Sequence, residues 1–449
     1  MTTGSLGWLG IVRLGLVQTA LGAIVVLTTS TMNRVMVVEL ALPAMLPGAL
    51  VGLHYALQVL RPRLGYGSDV GGRRTPWIVG GMAVLAAGGI GAALAILLME
   101  TSPLAGIALA VLAFVLIGVG VGASGTSLLV LLAKRVDAQR RAAAATTTWV
   151  MMICGFIVTA ALAGHFLDPY TPARLLAVTS AVAAIALAVT VLAVWRIEPA
   201  AERGETFVRA AQAEKTPFRE ALAQVWAEPQ SRRFAVFIFV SMLAYSMQDL
   251  ILEPFAGTVF GMTPGASTQL AGVQHGGVLV GMLAVGLLGS GIGGRRFGSM
   301  PAWTVVGCVA SAGALLLLAA AGLAGPPLSL SPFVFVLGLA NGVFAVAAIG
   351  SMMGLVGCGR AAREGVRMGL WGAAQAVAFG VGGFLGTLAS DVARALLGSP
   401  ALAYSTVFAA EGLLFLVSTA LALRVIGQSR ATAPAFGVSP VRVGSGQGL

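Results

Sequence analysis

The sequence predicts an all-α integral membrane protein of twelve transmembrane helices arranged as two six-helix repeats. Three observations predict it. Hydrophobic residues make up 58% of the 449-residue chain and charged residues only 10%, against about a quarter charged in an ordinary soluble domain. The apolar runs are roughly 20 to 30 residues long, enough to cross a hydrocarbon core of about 30 Å as helices and without the short alternation of an outer-membrane barrel. Basic residues and tryptophans recur at one fixed spacing in the two halves of the chain.

Charge-free runs bounded by turn residues give spans at 11–32, 40–60, 75–99, 103–133, 142–166, 173–195, 234–255, 268–290, 301–324, 332–357, 366–390 and 402–424. The first has no cleavage-site pattern and reads as a retained helix. The uncharged stretch Phe297–Gly359 is too long for one helix, and Gly325-Pro-Pro-Leu-Ser-Leu-Ser-Pro332 divides it. With the N-terminus in the cytoplasm, 24 of the 27 Lys and Arg fall on that side, leaving Arg34, Arg174 and Arg394 outside; the positive-inside rule then sets the orientation. The net charge of +11 therefore follows topology and argues for no nucleic-acid partner. Cys154, Cys308 and Cys358 are odd in number and form no readable disulfide or metal framework.

The domain reading is a six-helix bundle over 1–195, a cytoplasmic linker with a surface helix over 196–233, a second bundle over 234–424 and a disordered cytoplasmic tail over 425–449. Gly72-Arg73-Arg74 and Gly294-Arg295-Arg296 lie 222 residues apart, as do Arg141 with Arg363 and Trp149 with Trp371. Two independent matches at one offset argue for a parallel repeat.

Intramembrane ionisable groups are costly and hence informative. Glu411 lies mid-way along the last span. Asp249 and Glu253, four apart, should share one face at the outer end of the seventh, and Glu39 sits at the outer start of the second. His54 and His275 occupy nearly equivalent places in spans two and eight. A neutral imidazole can ligate a metal-centred tetrapyrrole; a histidine in an apolar helix can equally be hydrogen-bonded within the bundle. Asp249 and Glu253 read either as a polar anchor for a cation or a pigment's magnesium, or as a wet helix end. The supply of polar cavity residues is thin, which points away from a water-filled path and towards a lipophilic partner. No nucleotide loop, metal motif or nucleophile–base pair suggests an enzyme.

The loop Gly65-x-x-x-Asp69-x-x-Gly72-Arg73-Arg74 resembles the signature of major facilitator superfamily transporters between their second and third helices, implying that fold and a conformational latch at Gly65, Asp69, Gly72, Arg73 and Arg74. In the second repeat Gly291 and Leu287 replace Asp69 and Gly65. The segments Asn33–Pro43 and Gln248–Gly257 narrow the resemblance to the PucC/LhaA family of bacteriochlorophyll and light-harvesting complex assembly proteins. That resemblance implies an assembly factor that delivers bacteriochlorophyll to, or chaperones, antenna polypeptides in the bacterial inner (intracytoplasmic photosynthetic) membrane. Partners would be those polypeptides, membrane lipids and a bacteriochlorophyll synthase. Pigment would then be held by His54 or His275, or by Gln248, Asp249 and Glu253, and small residues in Gly118–Gly125 and Gly380–Gly386 would admit an antenna helix or serve internal packing. Two other readings stay open: a proton-coupled exporter of a lipophilic solute, working through Glu411, and a protein-only scaffold.

Overall fold

In the computed structural model the described residues are 6–60, 73–137, 140–198, 223–224, 226–290, 298–356 and 364–431. They contain twelve successive helices: α1 (Trp8–Glu39), α2 (Met45–Ala56, continued by a 3₁₀ turn Leu57–Leu60), α3 (Thr75–Met99), α4 (Pro103–Arg135), α5 (Arg141–Leu167), α6 (Pro172–Val194), α7 (Pro229–Phe260), α8 (Pro264–Ser290), α9 (Met300–Ala324), α10 (Ser331–Val356), α11 (Glu364–Leu397) and α12 (Pro400–Ala431). All except α2 are long and apolar enough to cross a membrane on their own count. Helices suit this sequence because a spanning segment must satisfy every backbone polar group internally. Prolines at the first turn, Pro76, Pro103, Pro172, Pro229, Pro264, Pro301, Pro332 and Pro400, mark eight of the starts, where a missing N–H costs nothing.

The packing repeats. In the first half α1 lies on α5 and α6, and α3 on α4 and α6; in the second, α7 lies on α11 and α12, and α9 on α10 and α12. The halves meet along α5 with α8 and α2 with α11, two contacts exchanged by the same pseudo-twofold relation. Each half has its own apolar core, one around Ile11, Leu85, Phe114 and Leu175, the other around Phe237, Phe255, Phe344 and Phe408.

Two ends of the bundle can be told apart. At the basic end, Glu198, just beyond α6, accepts the backbone N–H groups of Arg74 (3.0 and 2.9 Å) and Thr75 (2.7 Å) and the Thr75 hydroxyl (2.7 Å). It thus caps α3. Arg13 in α1 donates to the carbonyls of Ala193 (2.9 Å) and Trp195 at the close of α6, where a cation suits the negative end of the helix dipole. The opposite end carries the α1–α2, α5–α6 and α7–α8 connections.

Several boundaries differ from the sequence expectation. α1 runs seven residues past 32, because Arg34 and Asn33 find partners inside the protein. Glu39 closes α1 and does not open α2; Leu40–Ala44 is not helical, and Pro43 supplies no N–H for a ladder there. α7 extends to Phe260 on one side and Pro229 on the other, while α12 continues to Ala431 through residues assigned to the tail. Most of the linker, the rest of the tail, Gly65, Asp69, Gly72 and their second-repeat counterparts from Gly291 to Arg296 lie outside the described residues. Of the expected latch, Arg73 is exposed and Arg74 is buried.

Candidate functional site: a central cavity under a broken helix

Neither α1 nor α7 is a regular helix. α1 takes two π turns, Leu27–Thr31 and Val35–Glu39, on either side of Met32–Arg34, and such turns gather at functional sites. α7 breaks into a 3₁₀ turn at Gln248–Leu250 before resuming as Leu252–Phe260. The sequence supplies the cause. Pro254 has no N–H, so the carbonyl of Leu250, four residues earlier, has no helical donor. Asn33 in α1 supplies one, its Nδ2 lying 2.6 Å from the Leu250 oxygen with the asparagine fully buried.

The neighbouring contacts are polar as well. Arg34, 2% exposed, pairs with Glu39 (2.5 Å) and donates to the Met262 carbonyl (2.6 Å). Gly257 makes this possible: a Cβ there would lie 3.0–3.2 Å from the guanidinium. Thr31 and Thr268 hydroxyls are 2.9 Å apart.

Beneath this seam lies a cavity of about 220 Å³ shared by both halves. Thr29 and Ser30 of α1, Tyr55 of α2, Trp149 and Phe156 of α5, Tyr245 and Asp249 of α7, Gln274 and His275 of α8 and Phe379 of α11 line it. Thus Asp249 and His275, 26 residues apart in sequence, open onto one space. His275 donates from Nδ1 to the Ala271 carbonyl at 2.8 Å and stands edge-on to Phe156 with centroids 4.8 Å apart. A carbonyl can only accept, so a proton sits on Nδ1, and in the neutral ring Nε2 keeps its lone pair. Among the described residues Asp249 has no ion pair or hydrogen bond, and no group of three His, Cys, Asp or Glu side chains forms a metal site.

The other expected site residues separate from this pair. The 3₁₀ turn destroys the shared face expected for Asp249 and Glu253: Glu253 is buried against α8, its Oε2 3.5 Å from the Ser267 hydroxyl, and it neighbours Ser30 of the cavity wall without lining the cavity itself. Asp249 is no outer anchor either, because eleven residues of α7 follow it, about 16 Å at the helical rise. Gln248 is fully buried, and its amide has no partner among the described residues. His54 is 3% exposed, with Nε2 3.3 Å from Gln58 and its ring edge-on to Tyr55; α4 packs against its backbone at Gly118. It is not among the residues that line the cavity bordered by His275. Glu411 is fully buried in α12 without a hydrogen-bond partner among the described residues and lies outside the cavity lining. The glycines proposed to receive an antenna helix are occupied internally: Gly118 by His54 and Leu57, Gly120 by Leu85, Gly380 by Tyr55, Gly382 by Ser246 and Gly386 by Met247. Asn33 and Arg34 were missed because Arg34 read as a loop residue. The signal was the Pro254 that follows an acid pair inside an apolar run.

A second, lateral space of about 340 Å³ opens between α8 and α9, walled by Leu288, Gly298, Ala302, Trp303 and Val306. It offers no ligating side chain among those walls.

Comparison with known proteins agrees on family and fold. A family model described as PUCC protein matches residues 31–430. The chain is 54% identical over 424 residues to the bacteriochlorophyll synthase 44.5 kDa chain of Rhodobacter capsulatus, covering 94% of this chain and 96% of that one. It is 30% identical to protein PucC of the same organism, covering 93% and 92%. Among solved structures it is similar to a bacterial homolog of the human lysosomal transporter Spinster, in an inward-facing and unoccupied conformation, with a TM-score of 0.68 at 15% identity over 93% of this chain and 96% of that chain. The nucleoside transporter NupG gives a TM-score of 0.66 at 14% identity over 93% and 99%. At such identities the structural likeness establishes the major facilitator fold and nothing about cargo.

Proposed function

The chain belongs to the PUCC protein family, and on that footing we propose that it is a non-enzymatic assembly factor for light-harvesting antennae. It delivers bacteriochlorophyll to antenna polypeptides, or chaperones them, in the photosynthetic inner membrane. The name of one relative, the bacteriochlorophyll synthase 44.5 kDa chain, supports the pigment connection. Within the fold, the observation that carries pigment handling is His275, whose Nδ1–H is engaged by Ala271 while the ring borders the central cavity. Histidines that ligate metals commonly donate the other ring N–H in this way.

His275 would hold the magnesium of a chlorin through its free ring nitrogen, and Tyr55, Tyr245 and Asp249 would meet its polar substituents. The volume does not fit in this conformation, since about 220 Å³ falls below the roughly 300–1,000 Å³ of pockets for drug-sized ligands. For His275 to hold a pigment, the cavity would have to widen. Protein purified from a photosynthetic membrane should carry bacteriochlorophyll absorbance, lost in His275→Phe and kept in His54→Phe. Equal pigment in all three would remove His275 from the reading, and antenna polypeptides co-purifying without pigment would favour the protein-only scaffold.

One observation favours a second reading, proton-coupled export of a lipophilic solute: Asp249 and Glu411 are both membrane-embedded acids of the second half, neither with an ion-pair partner among the described residues. Substrate-dependent proton flux in vesicles, abolished by Glu411→Gln, would establish it.

A further inference from the structure

The two seams between the halves end in the same device. At the foot of α5, Asp168 accepts the Thr263 hydroxyl on Oδ2 (2.7 Å) and the Gly265 N–H on Oδ1 (3.2 Å), and Thr263 in turn accepts the Ala266 N–H (3.1 Å). These donors are the opening residues of α8. Near the end of α11, Asp391 accepts the Ala44 N–H on Oδ1 (3.0 Å) and the Met45 N–H on Oδ2 (2.8 Å), the opening residues of α2. Each carboxylate belongs to one half and satisfies a helix start of the other, where unpaired N–H groups and the dipole favour an anion. The two aspartates are 223 residues apart, the repeat spacing to within one residue.

The helices below each cap touch through small residues. A Cβ on Gly164 of α5 would meet the Gly265 carbonyl at 2.6 Å, and one on Gly48 of α2 would meet Thr387 of α11 at 2.0 Å. Both caps lie at the end that also holds the Arg34–Met262 contact, with the cavity on their inner side. Asp391 is held in place by Arg394 from its own helix.

We propose that Asp168 and Asp391 form one two-part clamp, related by the internal repeat, that holds this end of the bundle shut and leaves admission to the cavity to the opposite end. The clamp acts whatever the cavity carries. An intermolecular partner is unnecessary to it, because each carboxylate finds its donors within the chain.

The test is thiol accessibility in intact full-length protein with Cys154, Cys308 and Cys358 replaced by alanine. A cysteine at position 29 (Thr29→Cys) reports the cavity from the clamped end, and one at 149 (Trp149→Cys) from the other. With a membrane-impermeant maleimide, Asp168→Ala and Asp391→Ala should each raise labelling at 29 from the clamped side by a similar factor, about fivefold for loss of one helix cap. The double variant should multiply the two, to about twenty-five-fold, while labelling at 149 from the other side falls. A double variant no more reactive than wild type, or one aspartate accounting for the whole rise, would overturn the clamp. If labelling rises at both positions, the Asn pair decides, since asparagine keeps an acceptor but not the charge: it must move positions 29 and 149 in opposite directions, and parallel movement refutes the proposal.

Discussion

The side-chain amide of Asn33 in α1 donates, at 2.6 Å, to the carbonyl oxygen of Leu250 in α7, the oxygen that Pro254 leaves without a helical donor. One residue of the first half thereby completes the backbone of the second. Asn33→Ala should leave that buried carbonyl unsatisfied and lower stability by about 1–3 kcal/mol, read as thermal unfolding in detergent. Pro254→Ala restores an N–H, so the double variant should lose less than the two singles together; strict additivity would show that Pro254 is not the reason Asn33 is needed.

Arg34 serves two acceptors, Glu39 and Met262. Arg34→Gln should destabilise by about 1–3 kcal/mol, the range for lost hydrogen bonds to a charged donor, because Glu39 keeps 35% of its side chain exposed and stays in contact with water. Arg34→Lys should rescue little, because one ammonium on a flexible stem does not reproduce the planar fork. Gly257→Val should resemble Arg34→Gln, its side chain entering the space of the guanidinium; unfolding temperatures of the three variants check the order.

Adjacent glycines of α8 give an internal control. A Cβ on Gly277 would sit 2.3 Å from the Phe335 carbonyl of α10, while one on Gly276 meets nothing within 4 Å. Gly277→Ala should cost about 1–3 kcal/mol through overpacking, whereas Gly276→Ala should be neutral or gain up to about 1 kcal/mol from the lower backbone entropy of alanine. Equal unfolding temperatures would contradict the α8–α10 packing.

Glu411→Gln separates the two functional readings. The acid touches no hydrogen-bond donor among the described residues, so a neutral isostere should fold at least as well as the parent. Under the assembly reading antenna polypeptides should accumulate normally in cells carrying it, measured by membrane absorption spectra. A loss of antenna with the protein still present would make Glu411 part of the mechanism.

Spans and repeat were legible because hydropathy, arginine placement and a 222-residue offset are local or periodic signals, and the family because the segments Asn33–Pro43 and Gln248–Gly257 resemble it. The site was only half legible. Asp249 and His275 were named, yet their convergence depends on the crossing of α5, α7 and α8, which no spacing encodes. The i, i+4 argument for Asp249 and Glu253 assumed a continuous helix, and the turn at Gln248–Leu250 removes it. His54 and His275 occupy matching places in the repeat but meet different neighbours, α4 in one case and the cavity in the other. Asp168 and Asp391 stood at the repeat offset in plain sight, but an acid at a loop edge reads as solvated until its donors are seen.

The reciprocal caps also bear on how such a chain arose. A six-helix unit with one aspartate at the end of its fifth helix and one bare start to its second would close upon another copy of itself through two identical bonds, the self-complementary contact of a twofold dimer. In the present polypeptide the two matching contacts join halves of one chain.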